Sequence, residues 1–182
     1  MWLKLIQSPL LLGLLLMLTL AVIIDLVTYK IPNMIILFGL VFSLIGQTLL
    51  QQGAGGFNWL AGVAVAFTGF MPLYLARGLA AGDVKLMMAV GGFLGYPLII
   101  TALASTYIVG GMIAIIMVVF KGKLSPLIQN LHTMLLSVVI KATSGVSVEH
   151  NVLQNSVGRM PYALAIAIGT IVALVIKPAN IN

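Results

Sequence analysis

The chain has no cysteine and only three acidic residues, Asp25, Asp83 and Glu149. Without thiols it forms no disulfide and offers no thiolate metal site. Charge of either sign is scarce: 7% of 182 residues are charged, against about 25% in a soluble domain. With 62% hydrophobic residues, that scarcity excludes an ordinary soluble fold and makes the lipid bilayer the chain's main partner. Clustered basic residues are missing too. The net charge is +6, but the nine Lys and Arg are scattered singly beside apolar runs, a pattern that sets membrane topology. No nucleic-acid partner is expected. His132 and His150 have no paired acids at ligand spacing, so no metal is expected. H-E-x-x-H, G-x-S-x-G and a glycine-rich phosphate loop are all absent, and no cofactor is expected.

What is present is a series of long apolar runs. A bilayer core of about 30 Å needs about 20 apolar helical residues, fewer where the membrane thins. Residues 9–24, 34–50, 59–76, 84–96, 98–120 and 161–176 qualify. The first follows Lys4 and resembles a signal peptide, but it is long for one and no small-x-small cleavage site follows. It is expected to stay as a spanning helix. Pro72 is expected to kink the third run, and residues 53–58 mark a loop. Residues 121–160 are too polar to span. Within them Leu124, Leu127, Ile128, Leu131, Met134, Leu135 and Val138 recur at helical spacing. An amphipathic helix on the cytoplasmic surface fits, as does one packed on the bundle; residues 141–158 read as a polar loop.

Placing the loop after the first helix inside puts Lys30, Arg77, Lys85, Lys121, Lys123, Lys141 and Arg159 on the cytoplasmic side, and only Lys4 and Lys177 outside. This bias follows the positive-inside rule and leaves both termini outside. The expected fold is therefore an all-α, single-domain integral membrane bundle of about six transmembrane helices plus the cytoplasmic amphipathic segment. Residues 83–96 would span roughly 20 Å. If Tyr96-Pro97 marks the outer interface, Asp83 lies some 10 Å below the cytoplasmic surface of a ~30 Å core. A water-filled notch open to the cytoplasm is expected there.

Asp25 and Asp83 are the acids placed to do chemistry. Each has a plain alternative: Asp25 as an interfacial carboxylate beside Lys30, Asp83 as the N-cap of its helix. Together they read differently, because an acid in a spanning segment costs several kcal/mol and is functional by default. Two carboxylates sharing a site cannot both ionise easily. The ionised one takes a proton from water. The protonated one hydrogen-bonds the scissile carbonyl. Gly82 would let a substrate approach the backbone closely. Lys85, two residues on, points to another helix face; a topology anchor is the simpler role, with substrate orientation the other. Gly91-x-x-x-Gly95 reads as a close helix contact.

Three segments resemble the type IV prepilin peptidases. Asp25-Leu26-Val27-Thr28-Tyr29-Lys30-Ile31-Pro32-Asn33 is similar to their first motif, an aspartate, a basic stretch and I-P-N. Ala80-Ala81-Gly82-Asp83-Val84-Lys85-Leu86 is similar to their G-x-G-D followed by V-K-L. Arg159-Met160-Pro161-Tyr162-Ala163-Leu164-Ala165-Ile166 is similar to the P-Y-G/A-x-A-I near their last helix. The resemblance implies that Asp25 and Asp83 are the catalytic pair, with Gly82, Lys85, Lys30, Pro32, Asn33, Pro161 and Tyr162 near the substrate. It implies a prepilin or pseudopilin substrate, cut at its leader on the cytoplasmic side of the inner membrane. The chain looks most like the short branch found with tight-adherence (Flp-type) pili. It lacks the cysteine-rich part of larger members, so no methyl transfer is expected. Ala80 replaces the first motif glycine, a penalty if that position requires a positive φ. Alternatives are a presenilin-like protease cutting inside helices, a proton- or cation-conducting bundle, and an inactive assembly factor.

Overall fold

A computed structural model describes residues 9–50, 53–76, 78–120 and 162–176. Among them all regular structure is helical: α1 (Pro9–Thr28), α2 (Asn33–Leu50), α3 (Gly55–Leu75), α4 (Ala81–Leu94), α5 (Leu98–Phe120) and α6 (Tyr162–Ile176). The chain divides into two compact units, Met1–Gly110 with Pro161–Asn182, and Gly111–Met160. The candidate site and its contacts lie in the first; the described part of the second is the end of α5. The amphipathic segment, the loop at 141–158, both histidines, Glu149, Pro161, Lys4, Arg77, Lys121, Lys123, Lys141, Arg159 and Lys177 lie outside the described residues.

Among the described residues three helices are long and apolar enough to cross a membrane: Pro9–Thr28, Gly55–Leu75 and Leu98–Met117. Asn33–Leu49 and Tyr162–Ile176 are shorter apolar helices. α1 illustrates why such helices suit lipid. Leu12, Leu16, Leu20, Ile23 and Val27 are exposed along one face. Leu10, Leu14, Met17, Leu18 and Ala21 are buried along the other. Both sets recur at three- and four-residue spacing, the period of a helix with two distinct faces.

α4 is the enclosed helix. From Asp83 to Leu94 only Lys85 and Met88 escape full burial, and its main neighbours are α3 and α2. Apolar side chains all round, as here, suit a helix with no lipid-facing side. Its 14 residues span about 21 Å. The close contact with α3 depends on missing side chains. A β-carbon on Gly62 would sit 2.9 Å from Gly95 Cα and nearer still to the Gly91 carbonyl oxygen. Gly95, at φ 64 and ψ −178, ends the helix in an extended positive-φ conformation essentially confined to glycine. Neighbouring side chains cover that end: Gln47 Nε2 donates to the Phe93 carbonyl at 3.0 Å and the Tyr96 N–H donates to Asn58 Oδ1 at 2.8 Å.

Three helix ends differ from expectation. α1 runs one turn past Ile24 to Thr28, so Asp25 is inside it rather than at its end. α3 starts at Gly55, within the expected loop, and α4 starts at Ala81. Close packing at Gly62 gives a direct test. Gly62→Leu should lower the thermal unfolding midpoint in detergent, in line with an overpacking cost of about 1–3 kcal/mol. Gly111→Ala, where a β-carbon meets nothing within 4 Å among the described residues, should leave the midpoint unchanged or higher.

Candidate active site

Asp25 continues the buried stripe of α1 and is 5% exposed. Its position in the last turn of its own helix is electrostatically unfavourable for an anion. The remedy comes from α6, whose Ala163 N–H donates to Asp25 Oδ2 at 3.2 Å. Ala163 is the second residue of α6, so the carboxylate faces the positive end of another helix. It is tied to this N–H and not to Lys30, whose side chain is exposed.

Asp83 is 7% exposed and is the third residue of α4, not its N-cap. That cap is Ala80, at φ −84 and ψ 156. Asp83 Oδ2 reaches back to accept the Ala80 N–H at 3.0 Å, the acidic half of a capping box. The Ala80 backbone is extended with negative φ, a conformation open to any residue. The expected penalty for alanine at this position therefore does not arise.

α1, α4 and α6 pack against one another, and each carboxylate rests on a helix N-terminus. In each, a backbone N–H holds Oδ2, and Oδ1 has no hydrogen-bond partner among the described residues. Such a pair can share a proton and orient one water, with no covalent intermediate. In place of the open notch expected from sequence, the carboxylates are almost completely covered.

Tyr162, half-buried at the start of α6, is close enough to interact with the charge of Asp83. Its ring meets Phe70 edge-on at 6.0 Å, and Phe70 meets Tyr107 at 5.6 Å. Tyr107 in turn hydrogen-bonds the Gly69 carbonyl, giving an aromatic wall across α3, α5 and α6. Lys30, Pro32 and Asn33 are exposed. Between them Ile31 is buried, and a β-carbon on Gly82 would sit 3.5 Å from Ile31 Cβ. That is ordinary contact, so nothing inside the protein demands glycine at position 82. Exposed Lys85 donates from Nζ to Asn33 Oδ1 at 3.1 Å.

Sequence reasoning missed the Ala163 and Ala80 amides, Phe70 and the Ile31 contact. A start of α6 directly after Pro161 was the one available signal for the first of these, since proline commonly precedes or opens a helix.

Residues 12–116 match the model of the type IV leader peptidase family. The chain belongs to this family. The matched residues include both aspartates and run from α1 into α5. No match was found among curated proteins or among solved structures. Family membership makes the chain a protease with a prepilin-type leader as its general class of substrate, and its apolar helices mark it as a membrane protein.

The backbone at position 80 yields a check on this leader peptidase. Ala80→Gly, which restores the motif glycine, should not stabilise the protein. Its thermal midpoint should stay level or fall by the equivalent of up to about 1 kcal/mol, the added cost of ordering glycine. A clear rise would mean that alanine is strained there.

Proposed function

We propose that this leader peptidase is an aspartic endopeptidase in which Asp25 and Asp83 activate one water to cut the leader of a prepilin or pseudopilin. The observation that supports the reading is that Asp25 and Asp83 are both buried and each steadied by a helix N-terminus, on helices that pack against each other and against α6. An acid buried in an apolar protein is costly unless it is used or paired. Among the described residues neither aspartate is spent on a neighbouring cation.

In the proposed cycle the ionised aspartate removes a proton from water as the oxygen attacks the scissile carbonyl. The protonated aspartate donates to the developing oxyanion. Collapse of the tetrahedral intermediate expels the amine, which takes a proton from the pair. The protein works as a single peptidase domain of about six spanning helices in the bacterial inner membrane, with its site toward the cytoplasm and both termini outside. Its substrates are pilins of the tight-adherence type, and it carries out no methylation. Gly82, Lys85, Lys30, Pro32, Asn33, Pro161 and Tyr162 line the approach to the scissile bond.

Asp25→Asn and Asp83→Asn, each reconstituted in lipid with a prepilin, should lose leader cleavage while inserting and folding normally. Full cleavage by either variant rejects the mechanism. The wild-type pH–rate profile should be bell-shaped, because activity needs a single proton on the pair. Rates should fall at low pH as both carboxylates protonate and at high pH as both ionise. A rate that keeps climbing into alkaline pH, with enzyme and substrate intact, contradicts a shared proton.

A further inference from the structure

We infer that Lys85 and Asn33 form a brace that sets the spacing of the two aspartates, a positioning role for both side chains. The need for a brace follows from connectivity. Asp25 rides on α1 and Asp83 on α4, and these helices touch only lightly. α6 packs on both, and the loop from Tyr29 to Pro32, which leaves α1 one turn after Asp25, adds a second link between their site ends. Its first residue, Tyr29, has φ 52, an uncommon conformation for a residue with a side chain. It holds only where surrounding contacts fix it.

Two contacts, one from this loop and one from the first residue of α2, fasten this stretch to the start of α4. Ile31 packs beside Gly82, the residue before Asp83. Asn33 Oδ1 accepts from Lys85 Nζ, two residues after Asp83, at 3.1 Å. The contacts flank Asp83 on both sides in sequence. Thr28 adds a local tie, its hydroxyl bonding the carbonyls of Ile24 and Lys30 at 2.8 and 3.0 Å. Lys85 lies about 200° around the helix from Asp83 and is exposed. It acts through Asn33 and not by touching the reacting atoms. Breaking an exposed charge-assisted contact of this kind changes an equilibrium by up to about fivefold. That is enough to blunt catalysis where small errors in geometry are expensive.

The catalytic consequence rests on the two-aspartate reading above, but the brace can be read without activity. The natural chain has no cysteine, so Ile31→Cys with Gly82→Cys introduces a single thiol pair. The 3.5 Å between the two β-carbons falls in the range of about 3.5–4.5 Å found in disulfides. Disulfide formation should be fast in this parent and in its Asn33→Asp derivative, where a carboxylate still accepts from Lys85. Lys85→Met or Asn33→Ala should slow it about threefold to fivefold. Equal rates in all four proteins overturn the brace. If the cysteine pair does not accumulate, a thermal double-mutant cycle over Lys85→Met and Asn33→Ala decides. Coupling supports the brace and strict additivity overturns it.

In the cysteine-free enzyme, Lys85→Met and Asn33→Ala should lower kcat severalfold with KM little changed, and Asn33→Asp should retain most of the rate. Slower cross-linking with unchanged kcat overturns the positioning role. Cleavage by Asp25→Asn or Asp83→Asn defeats the catalytic reading but leaves the cross-linking test of the brace intact.

Discussion

A carboxylate inside an apolar protein must be given a partner, and this chain has almost no charge with which to do so. It uses backbone instead. The unpaired N–H groups at helix starts carry partial positive charge and are present in any sequence. Asp83 takes one from its own helix, and Asp25 takes one from a helix that lies far along the chain. Among the described residues neither carboxyl group has a cation beside it, which would tie up the oxygens that chemistry needs.

This constraint explains much of the architecture. On the proposed reading α4 must begin at the site, because its first turn carries Asp83. α6 must begin there too. The rest of α4 is buried on nearly all sides, with glycines letting α3 approach closely at Gly62 and Gly91. A helix fixed along its length in this way presents its first turn as a rigid platform. Both aspartates thus sit on regular elements, and the Tyr29–Pro32 loop is an irregular piece between α1 and α2 whose Ile31 packs beside Gly82.

The sequence made some of this plain and hid the rest for physical reasons. With acids so rare, Asp25 and Asp83 stand out at once, and apolar runs locate the helices to within a turn at most ends. Residues 98–120 coincide with α5 at both ends. The partner of Asp25 was not legible, because it is a main-chain N–H 138 positions away and any residue would supply it. The length of α1 was misjudged for the same reason: an acid near a helix end looks like a stop until something outside the helix stabilises it. Ala80 looked like a defect only because a motif glycine suggests positive φ, and its backbone has none. Ile31 was read as part of a motif, although its burial against Gly82 depends on how two distant segments meet.

The central claim is that two carboxyl groups, one on α1 and one on α4, share one water. Its most direct measure is the separation of the nearest Asp25 and Asp83 carboxylate oxygens in a structure determined in lipid. Two hydrogen bonds of about 2.8 Å through a single water place those oxygens no more than about 5.5 Å apart, and the account predicts a value within that limit. Carboxylates held well beyond it, with and without a bound leader peptide, would contradict the claim.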